Sequence, residues 1–514
     1  MKFLRSLIVF VLVATARGAG ERINHEGRLL GPAPQVTQPL LFNTAEADAV
    51  VAAMQIMPRD NPWNERVAQR PLLANSAAMI AQITTDLASN RRTLRPFFEM
   101  NYVLVPDPQP TVPIEFFNYS DESDLDGGID PNGLYPIPPN LPVEGWPVET
   151  PGLTLAQWQQ DVNGDGGDRH SIIVKPGAGF IWETWLTRRV GGAWEASNGA
   201  KFNLNSNALR PAGWTSGDAA GLPMFPALVR YDECQRGMVE HALRLIVKRT
   251  RVGPIYPATH AASVGNLTDP NIPAMGQRLR LKASYAIPAN WTKEEKAVLL
   301  ALKKYGAIVA DNGGFFSVSV CPDDRFASGC FDHLSTVAIS NFEVVQTTGP
   351  NEGPRSAGAP SVNVGADQTI AFGATATLTG SVTGSGIVQW KVAAGAGTVT
   401  FANATQAATT ATFSHPGHYV LLLSADDSIH AVAHDAVSID VFLNATVERD
   451  GNDLLVRFPS LPARTYRVEY CANFNGTAWL TLANNLPGTG ALLEIRDAAA
   501  LTQGQRFYRV RVLP

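Results

Sequence analysis

His170-Ser171-Ile172-Ile173-Val174-Lys175-Pro176-Gly177-Ala178-Gly179-Phe180-Ile181-Trp182-Glu183-Thr184-Trp185 reads as a β-hairpin and sets the fold class. β-Branched and aromatic residues fill 172–174 and 180–182, and Pro176-Gly177-Ala178-Gly179 supplies turn chemistry between them. With a two-residue loop at Gly177-Ala178, Lys175 faces Phe180, Ile172 faces Glu183 and His170 faces Trp185. Period-two alternation then puts His170, Glu183 and Trp185 on one surface. A carboxylate, an imidazole and an indole together suit sugar binding and proton transfer, because the indole stacks on a pyranose while the other two move protons. A register slip of one residue would separate them, and an outward polar face is the plainer alternative.

Downstream, 205–218 has little periodicity but many donors: Asn207 and Arg210 could bind substrate, Trp214 could stack on a sugar, and Asp218 could serve as acid or base. A surface loop whose aspartate caps a turn is the competing account. In 239–249 alternation sets His241 among Val239, Leu243, Leu245 and Val247, with Glu240, Arg244 and Lys248 opposite. Such a histidine is a hydrogen-bonded core residue or a cleft-lining one. Arg278, Arg280 and Lys282 share a strand face, either gripping an acidic polymer or facing solvent. Thr292-Lys293-Glu294-Glu295 is a capping box, and Val298, Leu302 and Tyr305 give its helix an apolar face that stops at Gly306. Strand 307–310, the turn Asp311-Asn312-Gly313-Gly314 and strand 315–320 then read as a hairpin with Asp311 at its tip, structural or rimming a cleft.

Upstream, 45–57 and 76–89 have helical spacing, and 103–168 is loop-rich. Asp161-Val162-Asn163-Gly164-Asp165-Gly166 matches the opening of a calcium loop, and Asp168 could close a smaller site, although position twelve is Ile172 and not the usual glutamate. Structural calcium at Asp161, Asn163, Asp165 and Asp168 is thus an expectation, with an ordinary Asp/Gly turn beside it. Asp124, Asp126 and Asp130 form a weaker set of the same kind. No other cofactor is required.

The ends of the chain frame this region. Lys2, Arg5, the apolar run 7–14 and Ala14-Thr15-Ala16 read as a signal peptide over 1–19, which implies a secreted or cell-surface protein. A retained anchor is the alternative reading. No later run reaches the length needed to cross a bilayer, so the mature protein is not expected to be membrane-embedded. The four cysteines fit an oxidising compartment, and Cys321 and Cys330, flanking a turn, are the favoured bridge. A net charge of −5 gives no reason to expect nucleic acid. The motifs of serine hydrolases, zincins, P-loop enzymes and dinucleotide-binding enzymes are missing, which lowers those classes.

The 514 residues exceed one core, and 44 Gly and 36 Pro favour turn-rich β structure. Thr347 to Ala359 has linker composition and separates a front domain, 20–346, from the rest. Residues 360–443 carry short alternating strands, with Val364-Gly365-Ala366-Asp367-Gln368-Thr369, Trp390 and Pro416-Gly417-His418-Tyr419. This stretch resembles PKD-type immunoglobulin-like modules, which implies a spacer or binding role. Residues 444–514 form another all-β unit resembling the small modules that end many large secreted bacterial proteins. Asn207-Ala208-Leu209-Arg210-Pro211, Gly213-Trp214-Thr215, 218–223, His241-Ala242-Leu243-Arg244 and Ala310-Asp311-Asn312-Gly313 make 168–345 similar to an uncharacterised family of secreted bacterial and fungal proteins, which implies export but no activity.

The expected fold is mainly β: a mostly antiparallel, jelly-roll-like β-sandwich with peripheral helices, followed by two immunoglobulin-like β modules. The expected function is cleavage of an extracellular polysaccharide by a monomeric glycoside hydrolase, two of Glu183, Asp218 and Asp311 being the working carboxyls. Two alternatives stand beside it. One is a polysaccharide lyase, with Arg210 or the basic stripe neutralising a uronate and His170 or His241 as base. The other is a non-catalytic carbohydrate-binding or adhesion protein.

Overall fold

The computed structural model describes residues 22–150, 152–164, 167–262, 265, 267–347, 358–472, 478–502 and 505–513. The expected leader, 1–19, and most of the expected linker lie outside them. The chain is mainly β. Among the described residues, no helix is long and apolar enough to cross a membrane.

The hairpin forms with the register read from its turn: Lys175 pairs with Phe180 and Ile172 with Glu183. Gly179, at φ +71°, takes the left-handed turn position that a side chain would strain. These strands, Ser171–Lys175 and Phe180–Trp185, belong to a five-stranded sheet with Leu40–Leu41, Val103–Leu104 and Asn198–Asn203. Their near-continuous apolar runs are explained by burial on both faces. Leu104, Ile172, Val174 and Ile181 enter the main core, whereas Val103, Ile173 and Trp182 enter a second core. That second core is shared with Ile114, Phe116, Tyr135 and Trp194 of a four-stranded sheet.

A six-stranded sheet completes the front domain, in the order Phe342–Val344, Arg278–Leu281, Ala307–Asn312, Leu243–Val247, Phe316–Val320, Leu94–Phe98. Eight of the twelve strand pairings in this domain are antiparallel among the described residues. The expected hairpin over 307–320 does not form. Leu243–Val247 lies between its two arms, parallel to one and antiparallel to the other. Residues 313–315 therefore carry the chain across an intervening strand.

Peripheral helices occupy Ala45–Ala52, Ser76–Asp86 and Lys293–Lys304. The last has the expected capping box, Thr292 accepting from the Glu295 amide and Glu295 from that of Thr292. Its Val298, Leu302 and the following Tyr305 are fully buried, and Gly306 continues at φ +68°.

All four cysteines are buried free thiols, so the bridge anticipated between Cys321 and Cys330 is not made. Both pack in the main core, where burial raises the Cys330 thiol to about 12.

After the linker, strands from Ser361–Asn363 to Phe507–Leu513 build two further β units whose interiors meet, Trp390, Tyr419 and Leu421 sharing one cluster with Phe458, Tyr466 and Val468. The first described segment, 22–30, bridges front and rear. Ile23 and Leu29 pack on Val420, Leu422 and Ala436 of the rear part. From the same segment Arg22 donates to Ala53 O at 2.8 Å, and Arg28 to Ala52 O at 2.7 Å and Glu240 at 3.0 Å, all in the front domain.

Candidate functional site

Arg244 interrupts the apolar strand Leu243–Val247 and is the hub of the site. Its side chain is 2% exposed. A buried guanidinium needs partners for its charge and all its donors. Nε and Nη2 each reach a carboxylate oxygen of Asp218 at 2.9 Å, Nη2 also donates to Asp311 Oδ2 at 2.7 Å, and Nη1 to Ser319 Oγ at 3.1 Å. The Ser319 hydroxyl in turn donates to Glu99 Oε2 at 2.7 Å, an oxygen 3.7 Å from Nη1. Burial lowers arginine basicity, but Asp218 and Asp311 outweigh it and hold Arg244 charged.

The backbone explains how these groups meet. Pairing of Leu243–Val247 with Ala307–Asn312 shifts register between Leu245 and Ile246: Leu245 pairs with Val309 but Ile246 with Asp311, leaving Ala310 as the extra residue. A bulge re-aims the side chains beside it, and here Asp311 turns toward Arg244. The freed carbonyl of Ala310 accepts from the Ala220 amide at 3.0 Å, fastening the turn that carries Asp218. Within that turn Ser216 Oγ accepts from the Asp218 amide at 2.9 Å and donates to Leu222 O at 2.7 Å. Gly313 is required by close approach, since a Cβ there would lie 2.7 Å from Ile246 Cγ2.

Around this hub is a cavity of about 200 Å³, lined by Glu99, Glu144, Asp168, His170, Arg244 and Asp311 among its polar groups. Phe97 and Phe315, ring centres 5.1 Å apart, also line it. Backbone bonds knit its edge: the Glu144 amide donates to His170 O and the Gly145 amide to Glu99 O, both at 2.8 Å. Desolvation raises the Glu99 carboxyl to about 7 despite Arg244. It likewise raises Asp311 to about 6 against the same cation.

His170 Nδ1 lies 2.8 Å from Glu144 Oε2. Burial alone would lower the imidazole, but Glu144 overcomes this and brings it to about 9. Because that value lies above the usual 6.5, the stabilisation from this pair is fully present below about pH 6.5 and is lost as pH rises through about 9. It should amount to about 3 kcal/mol. The unfolding free energy of the native chain relative to His170→Gln, compared near pH 6 and near pH 10, should shrink by that amount. A pH-independent difference would contradict the assignment.

The other sequence-derived candidates lie elsewhere. Glu183 is fully buried, and burial raises it to about 7. Its carboxylate accepts from the Met224 and Phe225 amides at 2.9 Å, so it pins a turn and does not line the cavity. Asp218 sits behind Arg244 and touches the site only through it. His241 is bound to Glu233 at 3.1 Å and to Ala242 O at 2.8 Å, the hydrogen-bonded core alternative. None of Glu183, Asp218 and His241 therefore lines the cavity around Arg244.

Arg210 is committed to Asp124, Thr215 O and Glu122 O, with Trp214 5.4 Å from its guanidinium. Asn207 bonds Asp60 and Asn61. Trp185 reaches the cavity edge by donating to Asp168 Oδ1 at 3.2 Å. The basic stripe is also occupied, Arg278 by Tyr305 O and Pro62 O, Arg280 by Glu343, and Lys282 by Ser340 O.

In the expected calcium loop, Asp161 pairs with Arg169 at 3.4 Å, Asn163 is exposed, and Asp165 lies outside the described residues. Asp168, meant to close that loop, faces the cavity. Of the weaker acidic set, Asp124 and Asp126 are held by Arg210 and Lys201.

Of the residues lining this cavity, His170, Asp168 and Asp311 are legible in the sequence, whereas Glu99, Glu144 and the role of Arg244 are not. The one available signal was an arginine inside Leu-Arg-Leu-Ile-Val.

No family model matches the sequence, and no curated protein matches it. Among solved structures, a nucleoside hydrolase-related hypothetical protein from Saccharophagus degradans, associated with carbohydrate metabolism, aligns at TM-score 0.16 and 15% identity over 27% of this chain and 36% of that one. The crystal structure of Rst D1-D2 aligns at TM-score 0.15 and 12% identity over 30% of this chain and 91% of that one. At these scores neither alignment carries an argument about fold or activity.

Proposed function

We propose that the chain is an exported glycoside hydrolase acting on an extracellular polysaccharide, with Glu99 and Asp311 as its two working carboxyls. The observation that supports this most is the pair itself: two half-buried carboxyls with raised proton affinity, facing one cavity and held by one guanidinium. Burial raises Glu99 further than Asp311, to about 7 against about 6, the ordering in which Asp311 ionises first and Glu99 keeps its proton longer, which is the division of labour that glycosidic cleavage needs. Glu99 gives its proton to the leaving oxygen as the C1–O bond breaks. Asp311 then accepts a proton from the water that adds to C1, or first bonds C1 itself as nucleophile, in which case water that gives its proton to the Glu99 carboxylate breaks the C1–Asp311 bond and frees the sugar. Contact with one guanidinium holds the two oxygens at most about 9 Å apart, a range that includes both the retaining and inverting arrangements.

The lyase reading finds less support. His170 is held protonated by Glu144, His241 is tied to Glu233, and the arginines and lysine offered to a uronate all have protein partners. A cavity edged by Phe97 and Phe315 would also suit an adhesion protein that binds glycans without cutting them.

A screen of neutral and acidic polysaccharides, read for reducing ends and for alkene absorbance, separates the three. Reducing ends without unsaturated product, lost in Asp311→Asn, are the expected result. Alkene-bearing product would favour the lyase, and binding with no product from any polymer would favour adhesion.

A further inference from the structure

We infer that the cavity around Arg244 takes a single uncharged or amino-bearing sugar ring and turns away uronic acids and sulfated sugars. This deepens the glycosidase reading and rests on it for the choice of sugars as ligands. The argument is one of charge. The charged groups come from most of the elements bordering the cavity: Glu99 follows Leu94–Phe98, Glu144 comes from the loop before Trp146, Asp168 and His170 precede Ser171–Lys175, Arg244 lies in Leu243–Val247 and Asp311 in Ala307–Asn312, while Phe316–Val320 adds only the hydroxyl of Ser317. Four carboxyl groups thus face two cations.

Neither cation is free for an anionic ligand. The guanidinium nitrogens of Arg244 are engaged by Asp218, Ser319 and Asp311, and the imidazole charge of His170 is matched by Glu144. A further carboxylate, Asp218, stands directly behind Arg244, and Asp168 is exposed. Outside the cavity Arg91 stacks 4.2 Å over Phe315 with Nη1 donating to Gly314 O, and Arg95, on the strand face of Phe97, donates to Asn90 O. Counting Asp218, five carboxyl groups still outnumber these four cations.

Carboxylates accept hydrogen bonds readily from sugar hydroxyls or an ammonium group, whereas like charge in a partly desolvated cleft is strongly unfavourable. Phe97 and Phe315 offer the apolar faces on which a pyranose stacks. At about 200 Å³ the cavity is smaller than pockets that enclose drug-sized ligands, so it holds one ring and not a stretch of polymer. Discrimination should widen with pH, because Asp311 and Glu99 gain charge through about 6 and 7.

The test is equilibrium binding of matched methyl glycosides to the full chain, followed by ligand-observed NMR: glucoside against glucuronide, galactoside against galacturonide, and glucosaminide. Near pH 8 the neutral or amino member should bind at least about tenfold tighter than its uronide. The gap should narrow near pH 5 and in Asp168→Asn, and binding should be lost in Phe315→Ala. Equal or tighter binding of the uronides overturns the inference, as does binding of none of the sugars or binding indifferent to Phe315→Ala. Since the readout is affinity, a preserved preference without hydrolysis would sink the glycosidase reading alone.

Discussion

Glu99→Gln should lower the rate of glycoside cleavage roughly 100- to 10,000-fold, the range general acid catalysis contributes. The amide keeps an oxygen that can accept from Ser319, so the fold and the cavity shape should survive and KM should change little. What is lost is the proton for the leaving oxygen. The pH profile carries the more specific signature. In the native chain activity should fall below about 6 as Asp311 protonates and above about 7 as Glu99 ionises. In the variant the alkaline limb should vanish, and substrates whose leaving group needs no proton should regain much of the rate. Residual activity with an unchanged profile would remove Glu99 from the mechanism.

Arg244→Met should destabilise the front domain by about 3–5 kcal/mol, because it strands Asp218 as an unpaired carboxylate in a buried place. For a domain of this size that corresponds to a melting temperature lower by roughly 4–7 °C. The cause can be isolated. Asp218→Asn in the Arg244→Met background removes the stranded charge and should recover part of the loss, so the two substitutions should be strongly non-additive. Additive losses in thermal unfolding would mean that the ion pair is not what makes Arg244 costly to remove.

The contrast between the hairpin and the site explains what could be read from sequence. Lys175 facing Phe180 was legible because a Pro-Gly-Ala-Gly turn fixes register locally, and the helix Lys293–Lys304 because its capping box is local too. His170 and Asp168 were found because they adjoin that hairpin. Asp311 was placed at the tip of a hairpin that does not exist, since a strand about 65 residues earlier inserts between its arms. The same insertion brings Arg244 to Asp311 and Ser319, a meeting that no local pattern encodes. Glu183 illustrates the opposite error: its register was right, but alternation gives only the face of a strand, and this face is sealed by the turn at Met224 and Phe225.

The segment around Ile23 and Leu29 acts as a strap. It holds the rear modules by a few aliphatic contacts and the front domain by arginine and asparagine hydrogen bonds. Proteolytic trimming past Leu30 would leave Arg66 to Asp426, an ion pair that salt would weaken, and Arg59 to the His434 carbonyl as the remaining described side-chain bonds across that junction. How far the cavity around Arg244 can swing relative to the modules behind it is therefore governed by nine residues far in sequence from those modules, 22–30.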